Sequence, residues 1–277
     1  MQLNQTQLGF YQDNGFILLP AHFSPAEVGR LKAELPTLVA KDSLERVVEK
    51  GGEVVRSVYG SHAKNEIFRR LACHPRIVGP ARQLLDSQVY LYQFKINTKN
   101  AFHGDLWDWH QDFIFWQMED GVPADRLVNV AVFMDDVSEF NGPMFFIPGS
   151  HREGTLASLN RKSVDARGGS IYKDSPSWIS NLTADIKYSV GSEIVSRLAD
   201  RFGIVAPKGP SGSVLFFHCN LVHASPNNIS PFNRVIAFVT YNSVENTPVT
   251  PDQKRPDFLC GRNHEPLQTV SDSALLF

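Results

Sequence analysis

The chain has 277 residues, of which 42% are hydrophobic and 20% are charged, so it has the proportions of a globular protein that can bury a sizeable core. Its formal net charge of −2 gives no electrostatic argument for binding nucleic acid or an anionic membrane surface. Because the sequence shows neither a signal-peptide pattern nor an apolar run of about 18 residues, we expect a cytoplasmic monomer or homodimer that acts on a small molecule, without nucleic-acid or membrane partners.

The first part of the chain, over about residues 1–88, is predicted to be helical. Ser24 is a typical N-cap residue, Pro25 suits the first helical position, and apolar residues then recur at helical spacing. Two further helical patterns lie on either side of Pro75. We expect this helical part to belong to one domain that spans residues 1–277.

From about residue 89 the pattern becomes that of strands. Five runs are rich in β-branched and aromatic residues and are separated by Gly, Pro, Asn and Asp: VYLYQFKIN, LVNVAVFMDDV, PMFFIPGS, GSVLFFHCNLVHAS and RVIAFVTYNSV. They predict an antiparallel sandwich or small barrel over about residues 89–245, faced by the N-terminal helices. An insertion at about residues 152–207 interrupts the series, and insertions of this length are typically functional, which favours a lid.

The stretch WDWHQDFIFW, residues 107–116, contains a histidine and an aspartate among aromatic residues. A buried carboxylate is costly unless it is paired or binds a metal. If the stretch is a strand, His110 and Asp112 point to the same face and Gln111 points away. With His223 from a later strand, they would make the two-histidine, one-carboxylate set of non-haem Fe(II) oxygenases.

A basic residue follows the third candidate ligand at a fixed distance. Arg234 lies eleven residues after His223, at the start of the apolar run RVIAFVTYN. An arginine that heads a buried strand needs an anion, and its planar fork suits a carboxylate. We therefore interpret Arg234 as the partner of the distal carboxylate of 2-oxoglutarate.

The ordered motifs H-x-D, then H, then R resemble those of the phytanoyl-CoA dioxygenase superfamily. The similarity extends through FYQDNGFILLP, YQFKIN, WHQDFIFWQMEDG, NGPMFFIPGSH, LVHASPNN and VTYN, and so covers most of the chain. Within that superfamily the sequence is most similar to the small-molecule branch, which includes ectoine hydroxylases and bacterial free-L-proline 4-hydroxylases. The resemblance implies a mainly β fold with N-terminal helices and a double-stranded β-helix core, the cupin-like jelly roll of Fe(II)/2-oxoglutarate oxygenases.

The resemblance also implies cofactors and site residues. His110, Asp112 and His223 would bind Fe(II), with 2-oxoglutarate and O2 as cosubstrates. Further residues are predicted near the cosubstrate, namely Asn97, Lys99 and Ser225. Others are predicted to face the substrate, namely Gln93 and Trp116, with Arg56 or Lys95 to meet a substrate carboxylate.

The function that follows is hydroxylation of a free amino acid, with L-proline as the main candidate. Ectoine itself is less favoured, because Phe113, Ile114 and Phe115 stand where ectoine hydroxylases carry an acidic and a hydroxyl residue. A carrier-linked or CoA-linked substrate is one alternative, suggested by basic residues of the insertion, Arg161, Lys162 and Arg167. A non-catalytic jelly-roll binding protein is the other alternative.

Overall fold

The computed structural model describes residues 1–159, 178, 182, 186–249 and 255–277. The helices of these ranges are α1 (Gln5–Asn14), α2 (Pro25–Ala33), α3 (Leu35–Ala40), α4 (Ser61–Lys64), α5 (Glu66–Ala72), α6 (Pro75–Leu85), α7 (Phe113–Asp120) and α8 (Ser192–Phe202). The strands are β1 (Phe16–Leu19), β2 (Arg46–Val48), β3 (Val55–Tyr59), β4 (Val89–Lys99), β5 (Trp107–His110), β6 (Leu127–Phe133), β7 (Phe145–Phe146), β8 (Ser158–Leu159), β9 (Tyr188–Ser189), β10 (Val214–His218), β11 (His223–Ser225) and β12 (Arg234–Ser243).

Two antiparallel sheets carry most of these strands. The larger sheet has the order β1-β10-β6-β12-β4-β3-β2, and the smaller sheet has the order β5-β11-β7. Aromatic residues of both sheets, Phe146 of the smaller one and Phe217 and Phe238 of the larger one, share one buried cluster. The sheets therefore pack face to face, as in a jelly roll.

The larger sheet is buried on both faces, and its side chains alternate between them. Along β6, Val128, Val130 and Val132 pack with the helices, whereas Ala131 and Phe133 join the cluster between the sheets. This alternation is the period of two that strands impose. It directs the inner face of β4, β6 and β12 toward the smaller sheet.

The segment before residue 89 is not only helical, which corrects the sequence-based expectation. Three strands, β1, β2 and β3, lie within it and form the two edges of the larger sheet. They have four, three and five residues, too short for a hydrophobic period to be distinguished from that of a helix. Pairing with longer strands decides their conformation. The helices predicted after Ser24 and around Pro75 are present.

The aromatic stretch 107–116 is not one continuous strand, as the sequence suggested. Strand β5 ends at His110, and helix α7 begins at Phe113 with Asp112 as its N-cap residue. The turn is fixed because the backbone N–H groups of Asp112 and Phe113 both donate to the carbonyl of Cys219, over 3.0 and 3.1 Å. Gln111 does point away from the site, and its side chain hydrogen-bonds backbone groups of Gly154 and other loop residues.

The predicted insertion is described only in part. Helix α8 (Ser192–Phe202) lies where the sequence predicted a helix. The basic residues that suggested a large, phosphate-bearing substrate, Arg161, Lys162 and Arg167, lie outside the described residues. In the part of the chain that is described, no helix is long and apolar enough to cross a membrane.

Substitution of Phe146 by alanine tests the packing between the sheets. Phe146 is fully buried and its ring contacts those of Phe16, Phe217 and His223. We expect Phe146→Ala to lower the free energy of unfolding by about 3–5 kcal/mol, because such a truncation leaves a cavity. Urea denaturation measures the change. Phe140→Ala, at an exposed position, is the matched control and should change stability by less than about 0.5 kcal/mol; equal effects would contradict the packing.

Candidate active site

Three side chains of the smaller sheet and its adjoining helix meet at one point. His110 ends β5, His223 begins β11, and these two residues face each other directly in the β5-β11 pairing. Asp112 Oδ1 lies 3.8 Å from His110 Nε2, and Asp112 Oδ2 lies 3.7 Å from His223 Nε2. Their potential ligand atoms all lie within 4.8 Å of one another. The structure thus brings together the three residues that the sequence predicted as metal ligands.

The backbone prepares both imidazoles to bind a metal. His110 Nδ1 lies 2.6 Å from the carbonyl of Asp108, and His223 Nδ1 lies 2.9 Å from the carbonyl of Leu221. A carbonyl can only accept, so each Nδ1 carries the proton and each Nε2 presents a lone pair. Both Nε2 atoms face Asp112, which is the arrangement that metal-binding histidines require.

Burial keeps these imidazoles neutral. It lowers the pKa of His110 to about 3, an effect to which His223 adds, and it also lowers the pKa of His223. Burial alone would raise the pKa of Asp112, but its interactions with His223 and with the charge of Lys95, together with the hydrogen bond from Asn129, outweigh that effect, so the net shift is downward. The site therefore holds two neutral nitrogen ligands and an ionised carboxylate at neutral pH.

A cavity opens from the triad between the two sheets. Several residues that the sequence assigned to the cosubstrate or substrate line it, namely Gln93, Lys95, Asn97, Trp116, Ser225 and Arg234. Gln93, Lys95 and Asn97 share one face of β4, as their spacing predicted. Gln93 donates to the carbonyl of Leu259 (2.7 Å), and Ser225 donates to that of Gly142 (3.0 Å). The acceptor oxygens of Gln93 and Ser225 remain available to a ligand.

Arg234 is a buried cation that lacks an anion. It is 2% exposed, and its Nε and Nη1 have no hydrogen-bond partner among the described residues. Burial and repulsion by Arg56 lower its pKa to about 10, so it stays charged at neutral pH. A buried, unpaired guanidinium is costly. Its position on the cavity wall fits a bound carboxylate.

The donor set fits Fe(II). Two imidazoles and one carboxylate that leave further coordination positions open are the ligand set of non-haem iron oxygenases. The uncompensated Arg234 fits the far carboxylate of a cosubstrate that chelates the metal with its other end.

The sequence matches the phytanoyl-CoA dioxygenase (PhyH) family over residues 11–236. The chain belongs to this family. It is 38% identical over 265 residues to an L-proline trans-4-hydroxylase of Streptomyces griseoviridis, and the aligned region covers 96% of this chain and 95% of that protein. It is 36% identical over 252 residues to an ectoine dioxygenase of Bordetella bronchiseptica, covering 88% and 77%.

Solved structures of the same family have the same fold. EctD from S. alaskensis with 2-oxoglutarate and 5-hydroxyectoine superposes with a TM-score of 0.80 at 32% identity, covering 97% of this chain and 87% of that one. EctD with bound Fe gives a TM-score of 0.79 at 31% identity and the same coverage. The predictions of a jelly-roll core and of a dioxygenase are therefore confirmed.

Two of the predicted residues lie away from the cavity wall. The Nζ of Lys99 donates to the carbonyls of Asp105 (3.0 Å) and Pro226, which directs it away from the cavity. Arg56 pairs with Glu49 Oε2 at 2.9 Å, and its guanidinium stacks over the ring of Trp107 at 3.7 Å. Neither residue is among those that line the cavity. Lys99 continues the face of β4 that carries Gln93, Lys95 and Asn97, but loop carbonyls hold its Nζ. Arg56 is held by a nearby carboxylate.

Sequence reasoning missed Arg255, which lines the cavity. Its Nε and Nη2 donate to the two oxygens of Asp120 over 2.8 and 2.5 Å. Asp120 ends α7 and is 1% exposed, so this ion pair is buried. Arg255 belongs to no periodic segment, and the sequence contains no signal for it. Only the return of the C-terminal segment over the sheets brings it to the site.

The buried Lys99 predicts a pH dependence of stability. Burial, together with Arg234 and Arg56, lowers its pKa to about 6 from an ordinary value of 10.5. Between these values the unfolded chain binds more protons than the folded one, so the free energy of unfolding rises with pH. The contribution of Lys99 to this rise in the free energy of unfolding approaches about 1.4 kcal/mol per pH unit. Denaturation between pH 6 and 9 should show a shallower rise for Lys99→Met than for the wild type; identical slopes would contradict the shift.

Proposed function

We propose that this chain is an Fe(II)- and 2-oxoglutarate-dependent hydroxylase of a free amino acid, most simply L-proline. The observation that carries the proposal is the largely enclosed triad of His110, Asp112 and His223, which opens onto a cavity lined by Lys95, Arg234 and Arg255. Family membership makes the chain a dioxygenase, so the alternative of a non-catalytic binding protein is set aside. The identity of the substrate is the part that goes beyond family membership.

The triad would hold the metal through His110 Nε2, His223 Nε2 and one oxygen of Asp112. Iron held there would supply the chemistry of dioxygen activation: 2-oxoglutarate would be converted into succinate and CO2, and one oxygen atom would be inserted into a C–H bond of the substrate. The protein fixes three coordination positions and leaves the others open. The carbonyls of Asp108 and Leu221 orient both imidazoles before the metal arrives.

Two arginines in the cavity would each bind one anion. Arg234 has free N–H groups and suits the far carboxylate of 2-oxoglutarate. Arg255 is held in a fixed orientation by Asp120, and its remaining N–H donors have no acceptor among the described residues. We assign it to the carboxylate of the amino-acid substrate. Lys95 also lies on the cavity wall, and burial lowers its pKa, although the negative charge of Asp112 opposes that shift.

The remaining walls suit a compact apolar body. Trp107, Phe115 and Trp116 line the cavity, together with Ile186 and Leu182. Trp116 packs edge to face against Tyr92, at 5.3 Å between ring centres, which limits its movement. Rigid apolar walls hold one C–H bond in place and exclude water from the reacting centre. A small saturated ring with one carboxylate meets these conditions.

The similarity to the proline hydroxylase of S. griseoviridis, over nearly the whole of both chains, supports L-proline as the substrate. The similarity to ectoine dioxygenases keeps ectoine as the second candidate. Of the three residues that separate this chain from ectoine hydroxylases, only Phe115 lines the cavity. Its bulk, in a stretch where those enzymes carry an acidic and a hydroxyl residue, favours the smaller and less polar ring.

Incubation with Fe(II), 2-oxoglutarate, oxygen and a panel of substrates tests the proposal. We expect L-proline to gain one oxygen atom, with one succinate formed per product, as measured by mass spectrometry. The panel includes other free amino acids, ectoine and a carrier-linked amino acid. Turnover of ectoine alone, or of the carrier-linked substrate alone, would replace the proline assignment and leave the reaction class intact. No succinate with any substrate would contradict the proposed reaction.

Arg255→Lys tests the substrate carboxylate site. The lysine keeps a cation beside Asp120 but loses the two-pronged contact. We expect the KM for L-proline to rise by about 10- to 100-fold, because this is the effect of losing one charge-assisted hydrogen bond. The KM for 2-oxoglutarate should stay near the wild-type value. Steady-state kinetics measure both. Arg126→Lys is the matched control, because Arg126 pairs with Glu245 and does not line the cavity. An unchanged KM for proline in Arg255→Lys would refute the assignment.

A further inference from the structure

The larger sheet reaches the triad through a short chain of hydrogen bonds. Asn129 Nδ2, on β6, donates to Asp112 Oδ2 over 2.8 Å. Thr240 Oγ1, on β12, donates to Asn129 Oδ1 over 2.7 Å. Asn129 and Thr240 are paired directly across the two strands and are 3% and 1% exposed. The two residues therefore form a buried connection from the larger sheet to Asp112.

We infer that Asn129, oriented by Thr240, is a positioning residue that fixes the carboxylate of Asp112 for metal binding. The inference rests on the proposed function, since it concerns the metal site of that reaction. Asn129 is not itself a ligand, because its amide faces the carboxylate and its other end is occupied by Thr240.

The chemistry of the groups determines the orientation of the amide. An ionised carboxylate only accepts hydrogen bonds, so the NH2 group of Asn129 must face Asp112. The hydroxyl of Thr240 then satisfies the amide oxygen. If the amide turned over, its oxygen would face the carboxylate and leave the two acceptors in contact. Thr240 opposes that reversal and so keeps a donor beside Asp112.

Within the described part of the chain, Asp112 depends on this contact. Although Asp112 is the N-cap residue of α7, its side chain makes no hydrogen bond to the helix. Its backbone N–H is held by Cys219, which fixes the main chain but leaves the carboxylate free to rotate. No other described side chain donates a hydrogen bond to it; the two imidazole Nε2 atoms lie at 3.7 and 3.8 Å.

The contact also distinguishes the two carboxylate oxygens. Asn129 engages Oδ2, so Oδ1 is the oxygen with its lone pairs free. We assign Oδ1 as the metal ligand. A carboxylate that binds through one oxygen leaves a coordination position open for the cosubstrates, whereas a freely turning carboxylate can occupy two positions.

Metal titration of three variants tests the inference. Asn129→Leu removes the donor with little change in volume, and Thr240→Val removes only the hydroxyl. Anaerobic calorimetric titrations with Fe(II) and with Co(II) should show that Asn129→Leu binds each metal about 10- to 100-fold more weakly than the wild type, the usual effect of losing a hydrogen bond to a ligand. Thr240→Val should bind with intermediate affinity, and Thr240→Ser, which keeps the hydroxyl, should restore wild-type binding.

A second measurement distinguishes positioning from a purely structural role. The ligand-field absorption of the Co(II)-bound protein reports the coordination of the metal. We expect Asn129→Leu to change this spectrum and Thr240→Ser to leave it unchanged. Wild-type affinity and spectrum in Asn129→Leu, even with a lower melting temperature, would overturn the inference. If the wild type itself bound neither metal, the proposed function would fail instead.

Discussion

The ionised carboxylate of Asp112, buried between two neutral imidazoles, is the constraint on which the site depends. Such a group is costly in a protein interior unless positive charge and hydrogen bonds compensate it. The compensation comes from the larger sheet, through the hydrogen bond that Asn129 donates and the charge of Lys95. A divalent cation bound between the three side chains completes it, which makes a metal the natural occupant of this point.

The same reasoning extends along the cavity. Lys95, Arg234 and Arg255 all reach its wall, yet among the described residues only Arg255 has a carboxylate partner, Asp120. A cavity with an excess of cations is suited to anions. A dicarboxylate cosubstrate and an amino acid would together supply the missing charges. Helix α7 connects the triad with Arg255. Asp112 is the N-cap residue of this helix, and Asp120, which pairs with Arg255, is its last residue.

Much of the fold and of the site could be predicted from the sequence. The long strands were recognisable from their composition and alternation, and the triad from residue types and order. The reasons given were not always right. His110 and Asp112 converge through a strand end and a helix start, not by sharing a strand face. Lys99 has the correct parity on β4, but loop carbonyls hold its Nζ away from the cavity.

By itself the sequence determined the residue types that can bind iron and an anion, their order along the chain, and the antiparallel sandwich or small barrel that runs of strand-forming residues predict. These properties are local, because they depend on the side chains and on the period of each strand. Only the tertiary structure decided that Arg255, rather than Arg56, reaches the cavity, and that Asn129 meets Asp112. Those contacts join residues that are distant in sequence and depend on how sheets and loops pack, which no local pattern records.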